Sequence, residues 1–130
     1  MRTVATFLLS FVASTLAYSV INPSSSVGWT NQGSQNLTWQ RVSTDPLNFT
    51  VVLDNQHVTG FQREVLAALV DGTAGFTRLN SHNGGWPTGS GFRVKLVKDD
   101  QNLDTILAES QDFNITDATS ETGLGTYVFF

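Results

Sequence analysis

No cysteine occurs anywhere in the 130 residues. That absence excludes a disulfide framework, a thiol nucleophile and a zinc–thiolate centre. Charge is also sparse, with seven Lys/Arg against eleven Asp/Glu and a net charge of −4. An acidic chain without a basic patch does not suit a nucleic-acid partner, whose phosphates need one, or electrostatic docking on anionic lipid. Proline is limited to three residues; there is no Ser/Thr/Pro-rich stalk and no internal repeat. No Gly-x-Ser-x-Gly elbow is present. The one long apolar run, Val4 to Leu16, is too short to cross a hydrocarbon core of ~30 Å as a helix.

That run has a different meaning. Met1-Arg2 give it a positive start, and Thr15-Leu16-Ala17 place small residues where signal peptidase reads them. Residues 1–17 read as a cleaved secretory signal, residues 18–116 as one folded domain, and 117–130 as a short C-terminal extension that adds an edge strand. The mature chain is expected to begin at Tyr18 and to be secreted, extracellular or associated with a cell wall. Three sequons agree with that compartment: Asn36-Leu37-Thr38, Asn48-Phe49-Thr50 and Asn114-Ile115-Thr116. A glycan needs an exposed asparagine, so Asn36, Asn48 and Asn114 are expected to face outward.

Alternation sets the fold class. Leu37 and Trp39 alternate with Asn36, Thr38 and Gln40, and Leu47, Phe49, Val51 and Leu53 share one face. Phe92, Val94 and Leu96 alternate with Arg93 and Lys95. Residues 61–70 contain good helix formers, but the flanking strands and Asp71-Gly72-Thr73 favour a strand buried on both faces. Ile106 to Ile115 supplies a further strand. About seven short strands separated by turn chemistry predict an all-β, immunoglobulin- or fibronectin-like β-sandwich.

Candidate chemistry is limited. Asp99, Asp100 and Asp104 fall in a polar loop, and Asp45, Asp54 and Asp71 sit near turns. A glycosidase needs two carboxylates across one sugar, one of them with a raised pKa, and loop acids in water do not meet that need. EF-hand spacing is missing. The two histidines are His57 and His82. A copper oxygenase of the polysaccharide-cutting kind needs a histidine at the mature N-terminus, where Tyr18 stands instead. No catalytic residue, metal ligand or cofactor is assigned. The best site-level expectation is carbohydrate binding: Trp86 in Gly84-Gly85-Trp86-Pro87, helped by Trp29 and by His82 and Asn83, held outward as a platform for a sugar ring.

The motifs Val20-Ile21-Asn22-Pro23, Val27-Gly28-Trp29-Thr30, Asn36-Leu37-Thr38-Trp39, Gly89-Ser90-Gly91-Phe92-Arg93-Val94 and Ser110-Gln111-Asp112-Phe113-Asn114-Ile115 occur in this order along nearly the whole mature chain. In that order they resemble the immunoglobulin-like N-terminal domain of fungal secreted cell-wall synthesis proteins. This family comprises the yeast β-1,6-glucan assembly proteins and their Ser/Thr-rich, GPI-anchored relatives. The resemblance implies a secreted β-sandwich tied to the wall and transfers no catalytic residue. It leads to the expectation of a non-catalytic wall or matrix module that meets cell-wall polysaccharide or a wall protein. The alternatives are a small secreted effector or protein-interaction domain and, more distantly, a carbohydrate-active enzyme. Residues 124–130 are too few for the apolar tail of a GPI signal, so no membrane anchor is expected in the mature chain.

Overall fold

The computed structural model describes residues 17–81 and 84–118. Residues 1–16, His82, Asn83 and residues 119–130 lie outside the described residues, and with them most of the expected signal segment and C-terminal extension.

Among the described residues nine strands form two sheets. In chain order they are β1 (Ser19–Asn22), β2 (Trp29–Thr30), β3 (Ser34–Gln40), β4 (Asn48–Asp54), β5 (Glu64–Asp71), β6 (Phe76–Asn80), β7 (Gly89–Val97), β8 (Ile106–Glu109) and β9 (Phe113–Thr116). The smaller sheet has the order β1-β3-β6. The larger runs β2-β9-β7-β4-β5, with β8 also paired to β7. All pairings are antiparallel except that of β2 with β9. The inner faces of the two sheets enclose the core, so the expected all-β sandwich is the fold found.

The alternation seen in the sequence builds that core. Phe49, Val51 and Leu53 of β4, Phe92, Val94 and Leu96 of β7, and Leu37 of β3 are completely buried. Trp39 packs edge-on against Phe49 at 5.0 Å, and its indole nitrogen donates to the Gly72 carbonyl at 2.8 Å. Burying such side chains contributes about 1.5–3 kcal/mol each, which is how a small domain without disulfides holds together.

Four expectations need adjustment. Ile106 to Ile115 is two strands, because Ser110 to Asp112 break from β8 to enter β9 on the other half of β7. Phe76–Asn80 is a strand that the sequence pattern does not predict. Leu47 precedes β4 and is 65% exposed rather than sharing its buried face. Residues 64–71 do form a strand, but β5 pairs only with β4 and lies at a sheet edge, with Leu69 exposed. Two register shifts along β4–β5 mark bulges, a device that bends an edge strand and blunts its free side.

Candidate functional site

The tryptophan platform is corrected by the structure. Gly84 and Gly85 both take positive φ, +92° and +78°. They let the backbone close onto the turn after β2, where the Trp86 amide donates to the Asn31 carbonyl at 3.0 Å. A Cβ on Gly85 would meet that same carbonyl oxygen at 2.6 Å. The turn draws the indole inward. Trp86 is 2% exposed and Trp29 4%, and the two rings stack on each other at 5.1 Å and 20°. Trp29 also packs against Phe113 and donates its indole N–H to the Asn36 carbonyl. A sugar platform needs a free aromatic face, and each of these faces is covered.

The sequons lie where a glycan requires them. Asn36 on β3, Asn48 at the start of β4 and Asn114 on β9 are all exposed.

A different site emerges on the outer face of the larger sheet. Because Phe92, Val94 and Leu96 point inward, Arg93 and Lys95 point outward on the central strand β7. The register sets Asp54 of β4 opposite Arg93, and Glu109 of β8 opposite Lys95. The ion pairs then form diagonally. Lys95 Nζ reaches Asp54 Oδ2 at 3.0 Å, and Arg93 Nη1 reaches Glu109 Oε1 at 2.8 Å, with its Nε on Asp112. These groups, together with Gln56, His57 and Gly91, line a cleft of about 390 Å³.

The cleft wall formed by the loop after β4 is firmly held. Asn55 is 3% exposed. Its amide nitrogen donates to the Ser90 carbonyl at 2.9 Å, and its amide oxygen accepts from the His57 backbone at 2.8 Å. Gly91 has φ +85° and lies directly beneath the imidazole: a Cβ there would meet His57 Cδ2 at 2.7 Å.

Four exposed aspartates are shifted in the same direction. The Arg93 guanidinium holds Asp112 below the usual carboxylate range, and Arg63 does the same for Asp104. Hydrogen bonds from Asn102 and from the Thr73 hydroxyl lower Asp99 and Asp71. A glycosidic general acid needs the opposite shift. Asp99 is tied into its own loop by Gln101 N and Asn102 Nδ2, the turn chemistry expected of it. Asp45, by contrast, is a buried acid, which its place near a turn did not signal.

Sequence reading missed this cleft because isolated charges on the open face of a strand look merely solvated. The available signal was the pair Arg93 and Lys95 on the cleanest alternating strand.

No family profile matches the chain. Over 86% of its length the chain is 32% identical to an uncharacterized protein of Schizosaccharomyces pombe, of which it covers 31%. Over 88% of its length it is 26% identical to a UPF0619 GPI-anchored membrane protein of Aspergillus fumigatus, of which it covers 52%. The chain thus spans about a third and about half of these two relatives. The second relative corrects the expectation of a chain without a membrane anchor, since a protein matched over most of this sandwich is itself GPI-anchored. Residues 124–130 carry no weight against that, because the matched segment is only part of the longer protein.

Proposed function

We propose that this chain is a non-catalytic β-sandwich module of the fungal cell surface, acting by contact with wall material. The observation that carries this reading is the match, over 88% of the chain, with a fungal GPI-anchored membrane protein. The secretory signal and the outward-facing sequons support the same compartment. In the outer cleft Asp112 is held down by Arg93, the opposite of what a general acid needs.

Within that reading the outer cleft is the place of contact. Its acids and bases alternate in sign and are already paired, so a ligand of either net charge would have to break a pair. A polysaccharide hydroxyl both donates and accepts, so it can use the lone pairs and N–H groups that the paired carboxylates and cations leave over, without breaking a pair. The cleft volume of about 390 Å³ lies within the range of ~300–1,000 Å³ usual for small-ligand sites. A glucan of the wall is the ligand class in closest accord with the family resemblance.

The test is fractionation of the natural protein from its host into medium, membrane and isolated wall, followed by pull-down on wall polysaccharides. Retention on the wall or membrane fraction and on glucan is expected. Recovery in the free medium alone would overturn the surface role, and turnover of glucan oligomers by the pure protein would overturn the non-catalytic one.

A further inference from the structure

Asp45 is 4% exposed, yet among the described residues no side-chain cation is paired with its carboxylate. Its Oδ1 accepts from the Ala17 backbone nitrogen at 2.8 Å and its Oδ2 from the Val42 nitrogen at 2.9 Å. Arg41 lies close by but uses Nη2 on the carbonyls of Asp45 and Pro46, at 2.6 and 3.4 Å, rather than on the carboxylate. The buried carboxylate is thus held by two backbone N–H donors, without a side-chain cation on either oxygen among the described residues.

Beside it the chain is firmly fixed. The Tyr18 ring packs edge-on against Phe49 at 5.3 Å, its hydroxyl donates to the Pro46 carbonyl at 2.5 Å, and the Arg41 guanidinium lies 5.9 Å over its face. Gly72 makes room for that hydroxyl, since a Cβ there would overlap it. The charged groups facing this corner are Arg41, Asp45 and Asp71, around the Tyr18 phenol, which burial pushes up and keeps neutral. The Asp45 carboxylate itself meets only backbone N–H donors there, because the Arg41 guanidinium is spent on the Asp45 and Pro46 carbonyls.

We infer that Asp45 is a receptor for a primary ammonium group, and that its ligand is the α-amino group of Tyr18 created when the chain is cleaved after Ala17. This rests on the secretory reading. Hydrolysis of the Ala17–Tyr18 peptide bond consumes one water, leaves a carboxylate on the departing Ala17 and a protonated amine on Tyr18. The departure of Ala17 removes one of the two amide donors from the Asp45 carboxylate. The new ammonium appears one residue along, ~3.8 Å at Cα, on the backbone nitrogen of a residue whose ring is already fixed by packing. It supplies both the missing donor and a positive charge. Cleavage therefore completes the fold at this corner.

A carboxylate partner raises the α-amino pKa above its ordinary ~7.7–8.0. Such a group contributes stability that is fully present below the unfolded value and is lost as pH rises through the folded value. The experiment uses protein beginning at Tyr18, with the α-amino group titrated by NMR and by competitive acetylation, beside Asp45→Asn. The expected result is a raised α-amino pKa, about tenfold slower acetylation at neutral pH, and return of both to ordinary values in Asp45→Asn. Thermal stability should also fall between pH 8 and 10 in the free-amine protein and not in an α-acetylated one. An ordinary titration in the wild type would overturn the pairing even if Asp45→Asn failed to fold. N-terminal sequencing of the secreted protein tests the premise separately: a start other than Tyr18 would overturn the ligand's identity while leaving the titration of the Tyr18-start protein readable.

Discussion

Trp29 and Trp86 stack on each other across one end of the sandwich, 5.1 Å apart and within 20° of parallel. One ring comes from the short strand β2, which is joined in parallel to β9, and the other from the turn before β7. The stack thus ties a two-residue strand and a glycine turn to the main sheet. Among the described residues the Trp86 indole nitrogen has no hydrogen-bond partner, so the ring is held by packing alone. Trp86→Ala should therefore destabilise the domain by about 3–5 kcal/mol, as expected for a buried aromatic. Urea unfolding measures this. A loss below about 1 kcal/mol would show that the indole does not carry this end of the core.

The turn that delivers Trp86 makes a sharper comparison. Gly85 and Gly33 have similar positive φ, +78° and +86°, but only Gly85 faces an obstacle, the Asn31 carbonyl oxygen. Gly33→Ala should cost about 1–2 kcal/mol for its left-handed backbone alone. Gly85→Ala adds the clash and should cost clearly more. Equal losses in thermal unfolding would remove the close approach from the explanation.

Two ion pairs of similar length differ in burial. Lys95 and Asp54 have side chains only 13% and 16% exposed, whereas those of Arg63 and Asp104 are 44% and 90% exposed. Lys95→Ala should destabilise by about 1–3 kcal/mol, because it leaves a largely desolvated carboxylate unpaired. Arg63→Ala should leave the unfolding midpoint unchanged, since water and salt replace an exposed partner. A double-mutant cycle on each pair checks the contrast.

Acid should reveal the same asymmetry from the other side. Asp71, Asp99 and Asp112 are held below the ordinary carboxylate value. A lowered folded pKa gives stability that is present above the unfolded value of ~3.9 and lost as pH falls through the folded one. Melting temperature should hold steady from neutral pH to about pH 5 and decline below about pH 4. Asp112→Asn should flatten part of that decline. A decline that begins above pH 6 would point to a different group.

Much of the fold was legible because the central strands state their burial residue by residue. Phe92, Val94 and Leu96 alternate with charges, and the structure buries those three completely. Strand β5 hid its place because apolar side chains at a sheet edge look the same in sequence as those in its centre; only pairing with β4 alone tells them apart. The Gly-Gly-Trp-Pro turn hid its direction for a related reason. Positive-φ glycines permit a tight turn either way, and the carbonyl of Asn31, distant in sequence, decides that the ring goes inward. The cleft was the least legible, since it is assembled from β4, β7, β8 and two loops by register rather than by any local motif.

That assembly gives the last prediction its form. Gln56 and His57 line the cleft without taking part in its ion pairs, so they can be removed without unpairing a charge. If the cleft meets wall polysaccharide, the joint change Gln56→Ala with His57→Ala should lower retention on a glucan column at least several-fold. The unfolding midpoint should stay within about 0.5 kcal/mol of wild type. Trp86→Ala should show the reverse pattern: a large loss of stability, with retention preserved in whatever fraction remains folded at low temperature. A single polar cleft yields weak contact, micromolar or weaker, so the comparison is best made with the protein displayed in several copies on a surface, where avidity amplifies small differences. Unchanged retention in the double variant would remove the cleft from the surface role and leave the contact to another face of the sandwich.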